Sequence, residues 1–342
     1  MLIVTVSGPD RPGVLAALSQ ILVKHHVAIA DMKQASLQNL LGLYFLLDVD
    51  IAAKTKDAVI KDLLFEASEL GLSLDYQFVS SSEENAISQP HHHVLTHFGG
   101  TPYLAELSRI LTEESVNIEG IASQTHHGAR SVDMVIDVSQ ASSLARLKQR
   151  IMAKSRELNT DLAVQRVEAY RKNKRLIFFD MDSTLVDMEI IKAVCWVEEL
   201  VRTLKWLGFK TGVVTGGFDF FSDYMKKKLG FDFAFANHLE IKNEELTGRV
   251  TGKIVDAAEK APIVNQSACD EGVLLDQTVV VGDGANDALM LAQAGLGIAY
   301  NAKKRLDRVA NVSLGKTRMA HVFHLLGITE EDIQAAAECK PQ

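Results

Sequence analysis

The chain has 342 residues, 47% hydrophobic and 23% charged, enough for two or three domains with cores of their own and incompatible with wholesale disorder. With 36 Lys and Arg against 44 Asp and Glu, its formal charge of −8 argues against gripping nucleic acid or an anionic membrane by charge. Its longest strongly apolar stretch, residues 40–47, is far shorter than the roughly 20 residues of a spanning helix, and its three scattered cysteines (Cys195, Cys269, Cys339) suit neither a disulfide framework nor a zinc site and point to a reducing cytoplasm.

The N-terminal run Met1-Leu2-Ile3-Val4-Thr5-Val6 lacks the basic leader of a signal peptide and reads as a strand. It opens the first copy of a repeat. Leu15, Ala16, Leu18, Ser19, Ile21, Leu22, Val27 and Ile29 recur 89 positions on as Leu104, Ala105, Leu107, Ser108, Ile110, Leu111, Val116 and Ile118. Each copy reads as strand, turn, amphipathic helix, strand. The first turn is Gly8-Pro9-Asp10-Arg11-Pro12-Gly13, the second Gly99-Gly100-Thr101-Pro102. Further strands are expected near 33–36 and 43–49, a helix near 56–70 and a closing strand near 73–79. The second copy ends near 163–167. This β-α-β-β-α-β order predicts a ferredoxin-like α+β sandwich, helices on one face of an antiparallel sheet. The polar run 80–85 reads as a linker. In His91-His92-His93, successive side chains of a strand alternate faces and do not converge on a metal, so the cluster reads as solvated or structural.

From Lys174 the pattern changes to short apolar runs that end in polar residues. Leu176-Ile177-Phe178-Phe179 runs into Asp180, and Thr211-Gly212-Val213-Val214 into Thr215-Gly216-Gly217. Thr278-Val279-Val280-Val281 runs into Gly282-Asp283-Gly284, and Leu296-Gly297-Ile298-Ala299 leads to Asn301. Such strands, separated by helical stretches, predict a Rossmann-like, doubly wound parallel sheet covered on both faces. Ligands bind such sheets beyond the carboxyl ends of the strands, so one site is assembled from four places. The expected domains are 1–80, 91–168 and 174–342.

Asp180-Met181-Asp182-Ser183-Thr184 sets two carboxylates at a strand end, suited to a divalent cation sharing its site with a nucleophile; a helix cap is the plainer reading. Gly282-Asp283-Gly284-Ala285-Asn286-Asp287 adds two more carboxylates, and oxygen ligands from separated strands are what Mg²⁺ selects. Thr215-Gly216-Gly217 offers a hydroxyl and open backbone N–H groups to phosphate, or is an ordinary turn. Lys260 alone would be a solvated helix lysine; among these acids it is a candidate charge clamp on phosphate.

Five segments in this order resemble the haloacid dehalogenase superfamily of phosphatases, and within it the phosphoserine phosphatases with N-terminal ACT domains. They are residues 179–186, 215–221, Phe235-Ala236-Asn237, 254–257 and 281–287. The tandem repeat is similar to that family's ACT pair. The resemblance implies hydrolysis of O-phospho-L-serine, the last step of serine synthesis, through an aspartyl-phosphate, with Mg²⁺ as cofactor. It implies Asp180 as nucleophile and Asp182 as general acid, then base. Mg²⁺ would be held by Asp180, the main-chain carbonyl of Asp182 and Asp283, with Asp287 nearby. Ser183, Thr215, Gly216 and Lys260 would hold phosphate oxygens, and Asn286 would orient the group. Glu189 matches the position that pairs with the substrate ammonium, or is a first-turn helix glutamate. Asp10, Arg11 and Gly13 resemble an effector loop for an amino acid such as serine, or form a structural turn. The ACT pair also implies a homodimer through its sheet edges.

The family inserts a helical cap of several dozen residues between its first two motifs. Here only 189–207 intervenes, and Ile190, Val194, Val197, Val201, Leu204 and Leu207 mark one amphipathic helix. That length suffices for a minimal crossover, so the core is expected to close without its cap. The alternatives are a cap-less phosphatase of broader phosphomonoester specificity and a catalytically weak amino-acid sensor.

Overall fold

The repeat in the sequence is also a repeat in space. The computed structural model describes residues 1–49, 55–79, 92–126, 129–167, 171, 173–182, 184, 190–302, 306, 309–315 and 320–338. The first copy contains β1 (Leu2–Pro9), α1 (Val14–Lys24), β2 (Ala28–Leu37), β3 (Leu40–Asp48), α2 (Thr55–Glu69) and β4 (Ser73–Phe78). Its sheet has the order β2-β3-β1-β4 with every pair antiparallel. Alternation sends Leu2, Val4 and Val6 of β1 and Leu41, Leu43, Phe45 and Leu47 of β3 to one face, where they pack with Leu18 and Leu22 of α1 and Leu63 of α2. Gly13 precedes α1 with φ +98°, a left-handed turn that glycine adopts without steric cost.

The second copy contains β5 (His92–His97), α3 (Thr101–Glu113), β6 (Asn117–His126), β7 (Ala129–Asp137), α4 (Leu144–Glu157) and β8 (Leu162–Arg166). Its strand order, β8-β5-β7-β6, reproduces the first.

The core follows with β9 (Leu176–Phe179), α5 (Ile190–Trp206), β10 (Lys210–Phe218), α6 (Asp219–Leu229), β11 (Phe233–Lys242), β12 (Glu245–Thr251) and α7 (Lys260–Asp270). It ends with β13 (Thr278–Gly282), α8 (Ala288–Gln293), β14 (Leu296–Tyr300), β15 (Val312–Leu314), α9 (Ala320–Leu326) and α10 (Glu330–Glu338). Strands β11-β10-β9-β13-β14-β15 are parallel throughout, and β12 adds an antiparallel edge. All four residues of β9 are buried, yet they serve two cores. Ile177 and Phe179 pack with residues of α5, α9 and α10, while Leu176 and Phe178 pack with α7 and α8. The sheet is doubly wound, as its apolar runs predict.

One feature departs from a chain of separate modules. β15 pairs antiparallel with β8, Val312 opposite Ala163 and Ser313 opposite Leu162, so the second repeat and the core form one 11-stranded sheet. The chain divides into two compact units, Met1–Gln89 and Pro90–Gln342. The second repeat and the core are thus one body, where the sequence suggested segments 91–168 and 174–342. The reason lies in β8, whose residues 162–165 are all buried and leave a backbone edge that must be hydrogen-bonded. No helix among the described residues is long and apolar enough to cross a membrane.

Between the first two motif strands, α5 buries Val197, Leu200, Val201 and Leu204 and hands the chain to β10 through residues 207–209. At about 1.5 Å per residue it returns the chain along the sheet. No further helix stands between α5 and β10.

Candidate active site

Asp180 follows the last residue of β9, and its backbone N–H donates to the carbonyl of Val281 at 2.8 Å. This places its carboxylate beside the turn that leaves β13. Lys260, the first residue of α7, enters the same space with 1% of its surface exposed. Its Nζ donates to Asp180 Oδ1 at 2.5 Å and to Asp287 Oδ1 at 2.7 Å. Asp287 Oδ2 accepts from the backbone N–H groups of Asp283 (3.2 Å) and Gly284 (3.1 Å), which closes the turn. Gly282 is needed there, since a Cβ would stand 2.6 Å from Asp287 Oδ2. Asp180, Asp283 and Asp287 each present an oxygen within 4.8 Å of the others.

Three carboxylates around one ammonium leave an excess of negative charge in a buried place. Burial, then the charge of Asp287, pushes the Asp180 carboxyl up to about 7 against the pull of Lys260. Burial works against the Lys260 ammonium, but Asp180 and Asp287 outweigh it and hold it above the ordinary lysine range. Asp180 Oδ2 is buried and has no hydrogen-bond partner. A hard cation with oxygen ligands fits both observations: it supplies a partner for that oxygen and offsets the excess charge.

Thr215 lies in β10, where pairing with β11 slips between Val214 and Phe218. Its Oγ1 donates to Asp182 Oδ2 at 3.1 Å and accepts from the Gly217 N–H at 2.9 Å. The structure thus brings together Asp180, Asp283, Asp287 and Lys260, and joins Asp182 to Thr215 and the Gly216 loop. Asn286 is exposed on the 3₁₀ turn Ala285–Asp287. Ser183 and Glu189 lie outside the described residues, as does His91. His92 meets Glu119 at 2.8 Å and His93 is buried, so these two do not converge. In the first unit, Asp10, Arg11 and Gly13 line a groove of about 920 Å³ with Gln34 and Asn39. Asp10 Oδ2 accepts there from the Ser36 hydroxyl at 2.8 Å.

Asn237 is a residue to which the sequence analysis assigns no role. It is buried in β11; Nδ2 donates to the carbonyls of Gly216 (2.8 Å) and Val255 (3.1 Å), and Oδ1 accepts from the Val255 N–H (2.8 Å). It therefore ties the Thr215–Gly217 loop to the segment that leads into Lys260. A polar residue directly after the apolar run Phe233-Ala234-Phe235-Ala236 was the available signal.

Residues 1–77 match the ACT domain family, and residues 189–292 match the haloacid dehalogenase-like hydrolases. The phosphoserine phosphatase of Mycobacterium tuberculosis is 32% identical over 391 aligned positions, spanning 98% of this chain and 95% of that protein. That of Archaeoglobus fulgidus is 36% identical over 254 positions, 59% of this chain and 74% of that one. Since 391 − 342 = 49, at least 49 positions of the first alignment face no residue here. A solved haloacid dehalogenase family hydrolase from Salmonella enterica serovar Typhi superimposes with a TM-score of 0.54, over 69% of this chain and 98% of that one. At 17% identity, that is a likeness of fold alone.

Proposed function

The chain belongs to the phosphoserine phosphatases of the haloacid dehalogenase superfamily, and from that premise we propose that it hydrolyses O-phospho-L-serine to L-serine and phosphate at the cluster of Asp180, Asp182, Lys260, Asp283 and Asp287. One observation carries the reading: Lys260 pins one oxygen of Asp180 while the other is buried without a hydrogen-bond partner. A carboxylate held in this way is aimed rather than merely buried.

Asp180 attacks phosphorus as the bond from phosphorus to the serine oxygen breaks, and the leaving oxygen takes a proton from the carboxyl of Asp182. Asp182, exposed on the open side of the site, then removes a proton from the water that attacks the aspartyl-phosphate. Phosphate leaves and Asp180 is regenerated. The Thr215 hydroxyl, the Gly216 backbone, Ser183 and Lys260 are assigned to the phosphate oxygens, Asn286 to orienting the group and Glu189 to the substrate ammonium. Asp180, the carbonyl of Asp182, Asp283 and Asp287 would hold Mg²⁺, which when bound offsets the repulsion between an anionic nucleophile and an anionic ester.

A second reading rests on the passage from α5 straight to β10 and the 49 or more unmatched positions. An open site of this kind would accept larger or different phosphomonoesters. We assign the groove at Asp10, Arg11 and Gly13 to a free amino acid, serine first, and the sheet edges of the repeats to a homodimer. Folding segments of 1–80, 91–168 and 174–342, the last two joined through one sheet, and a cytoplasmic location complete the reading; Cys269 is a free thiol, in keeping with a reducing compartment.

Phosphate release from O-phosphoserine and from an aryl phosphate, each with and without Mg²⁺, tests it. Selective, Mg²⁺-dependent turnover of phosphoserine is expected. Equal, slow turnover of both esters indicates the open-site phosphatase, and none indicates an amino-acid sensor. Asp180→Asn should lower kcat by on the order of a million-fold, the scale seen when a covalent nucleophile is lost.

A further inference from the structure

A second cluster of charge lies at the other end of the parallel strands. Lys174 and Asp276 precede β9 and β13, and Asn311 precedes β15. They meet His93 of β5, Lys148 of α4 and Gln165 and Arg166 of β8 around a cavity of about 270 Å³, which Arg171 also lines. The cavity therefore straddles the seam between the second repeat and the core. Four cations face it, and Asp276 is the one carboxylate among the described lining residues. Even Asp276 meets Lys174 through its main-chain carbonyl.

Two buried donors here lack acceptors. Gln165 is 5% exposed and its Nε2 has no hydrogen-bond partner; nor has the buried Nε of Arg171, whose Nη2 reaches Asp133 at 3.5 Å. Burial draws the Lys148 ammonium below its ordinary value, with no carboxylate to counter it. The unpartnered N–H groups of Gln165 and Arg171, beside the buried Lys148 ammonium, are costly unless an acceptor of negative charge meets them. A planar guanidinium beside two ammonium groups and an amide N–H suits the several oxygens of a phosphoryl group. Ligand clefts commonly run to roughly 300–1,000 Å³, so a cavity of this size selects a small ligand.

We propose that this seam cavity binds a small phosphoryl oxyanion, inorganic phosphate or a compact phosphomonoester, as a site separate from the acidic cluster. Such a ligand bridges Lys148 and Gln165 of the second repeat to Lys174 of the core and tightens the seam. The inference does not depend on the catalytic reading, because it uses none of the same residues.

The test is thermal unfolding of the full chain, with Mg²⁺ chelated, followed by the fluorescence of Trp196 and Trp206, both in the unit that contains the cavity. Titrations use inorganic phosphate and a non-hydrolysable phosphonate, each against chloride of equal ionic strength. Phosphate is expected to raise the unfolding midpoint in the unaltered chain and equally in Lys260→Met protein, whose acidic cluster is disabled. Lys148→Gln and Arg171→Gln should each weaken binding at least tenfold, and Lys148→Arg should retain it. Tighter binding of the phosphonate would assign the site to a monoester, and tighter binding of phosphate to the free ion. The proposal fails if neither anion shifts the midpoint beyond chloride, if the shift vanishes in Lys260→Met protein, or if both Gln variants bind as the unaltered chain does.

Discussion

The first repeat and the second share one topology and differ in what their fourth strand meets. In β4, five of six residues are exposed and the sixth is half-buried; in β8, residues 162–165 are buried and the strand edge joins β15. Just before β4 stands Leu72, and just before β8 stands Asp161. Asp161 accepts from His321 Nδ1 at 2.7 Å and from the Gly315 N–H at 2.8 Å, both from the core. The turn regions diverge too. The first lines an open groove with Asp10 and Arg11, while beside the second Phe98 stacks on His321 with ring centroids 3.7 Å apart. One fold thus leaves its edge strand exposed and its turn lining an open groove in the first copy, and uses both as a joint in the second.

The sharpest attempt to break this comparison is truncation. A chain starting after residue 79 should keep Mg²⁺-dependent turnover and an unchanged tryptophan melt. A chain starting after residue 168 strips β8 from β15 and should not fold in soluble form; recovery of an active, melting protein would overturn the distinction.

Next in size is Asp161→Ala, which leaves His321 and the Gly315 N–H without their buried acceptor. A loss of about 3 kcal/mol in chemical denaturation is expected. Asp62→Ala is the counterpart in the first repeat. Its partners there are the exposed Lys24 at 2.7 Å and the half-buried His25 at 2.8 Å, at the surface rather than in a joint, so the midpoint should move far less than in Asp161→Ala protein.

Acid should separate the two units. Burial holds the His97 imidazole below its ordinary value of 6.5, against the opposing pull of the Gly99 backbone and the Asp133 charge. Its contribution is complete above pH 6.5 and is lost as pH falls toward the lowered folded value, because the unfolded ring binds the proton first. In the first unit, hydrogen bonds from Lys24 and His25 pull Asp62 down to about 2 from 3.8. That contribution is present above pH 3.8 and lost only as pH falls toward 2. Tryptophan emission should therefore report weakening below pH 6.5 before hydrogen exchange in residues 1–79 does. His97→Leu should flatten the first trend; a slope that persists in the variant would assign it to other groups.

The smallest effect concerns the groove. Serine at a hundred times its dissociation constant would stabilise the first unit by about 2.7 kcal/mol. Arg11→Ala should abolish the shift and Thr101→Ala should not. Absence of any shift at millimolar serine in the unaltered chain counts against the effector reading.

Much of the site was legible because its chemistry is local. Asp180 stands directly after one apolar run and Asp283 one glycine after another, with Asp182 and Asp287 a few residues behind, and a parallel sheet delivers the ends of its strands to one edge. Lys260 gained meaning only beside those acids. Asn237 was not assigned a role, because its partners are the backbone groups of Gly216 and Val255, which every residue possesses. Nothing local in the sequence marks Lys148, Arg171 and Lys174 as a group; only the tertiary fold brings them to one cavity.

What the sequence determined by itself was the set of elements and the candidate groups at the strand ends, since periodicity and side-chain chemistry reside in neighbouring residues. Tertiary structure alone decided that β8 would close against β15, and that the second repeat would share a sheet with the core while the first did not. Strand edges carry the same N–H and C=O groups whatever the side chains, so which edges meet is settled by how whole faces pack and which buried groups still lack partners.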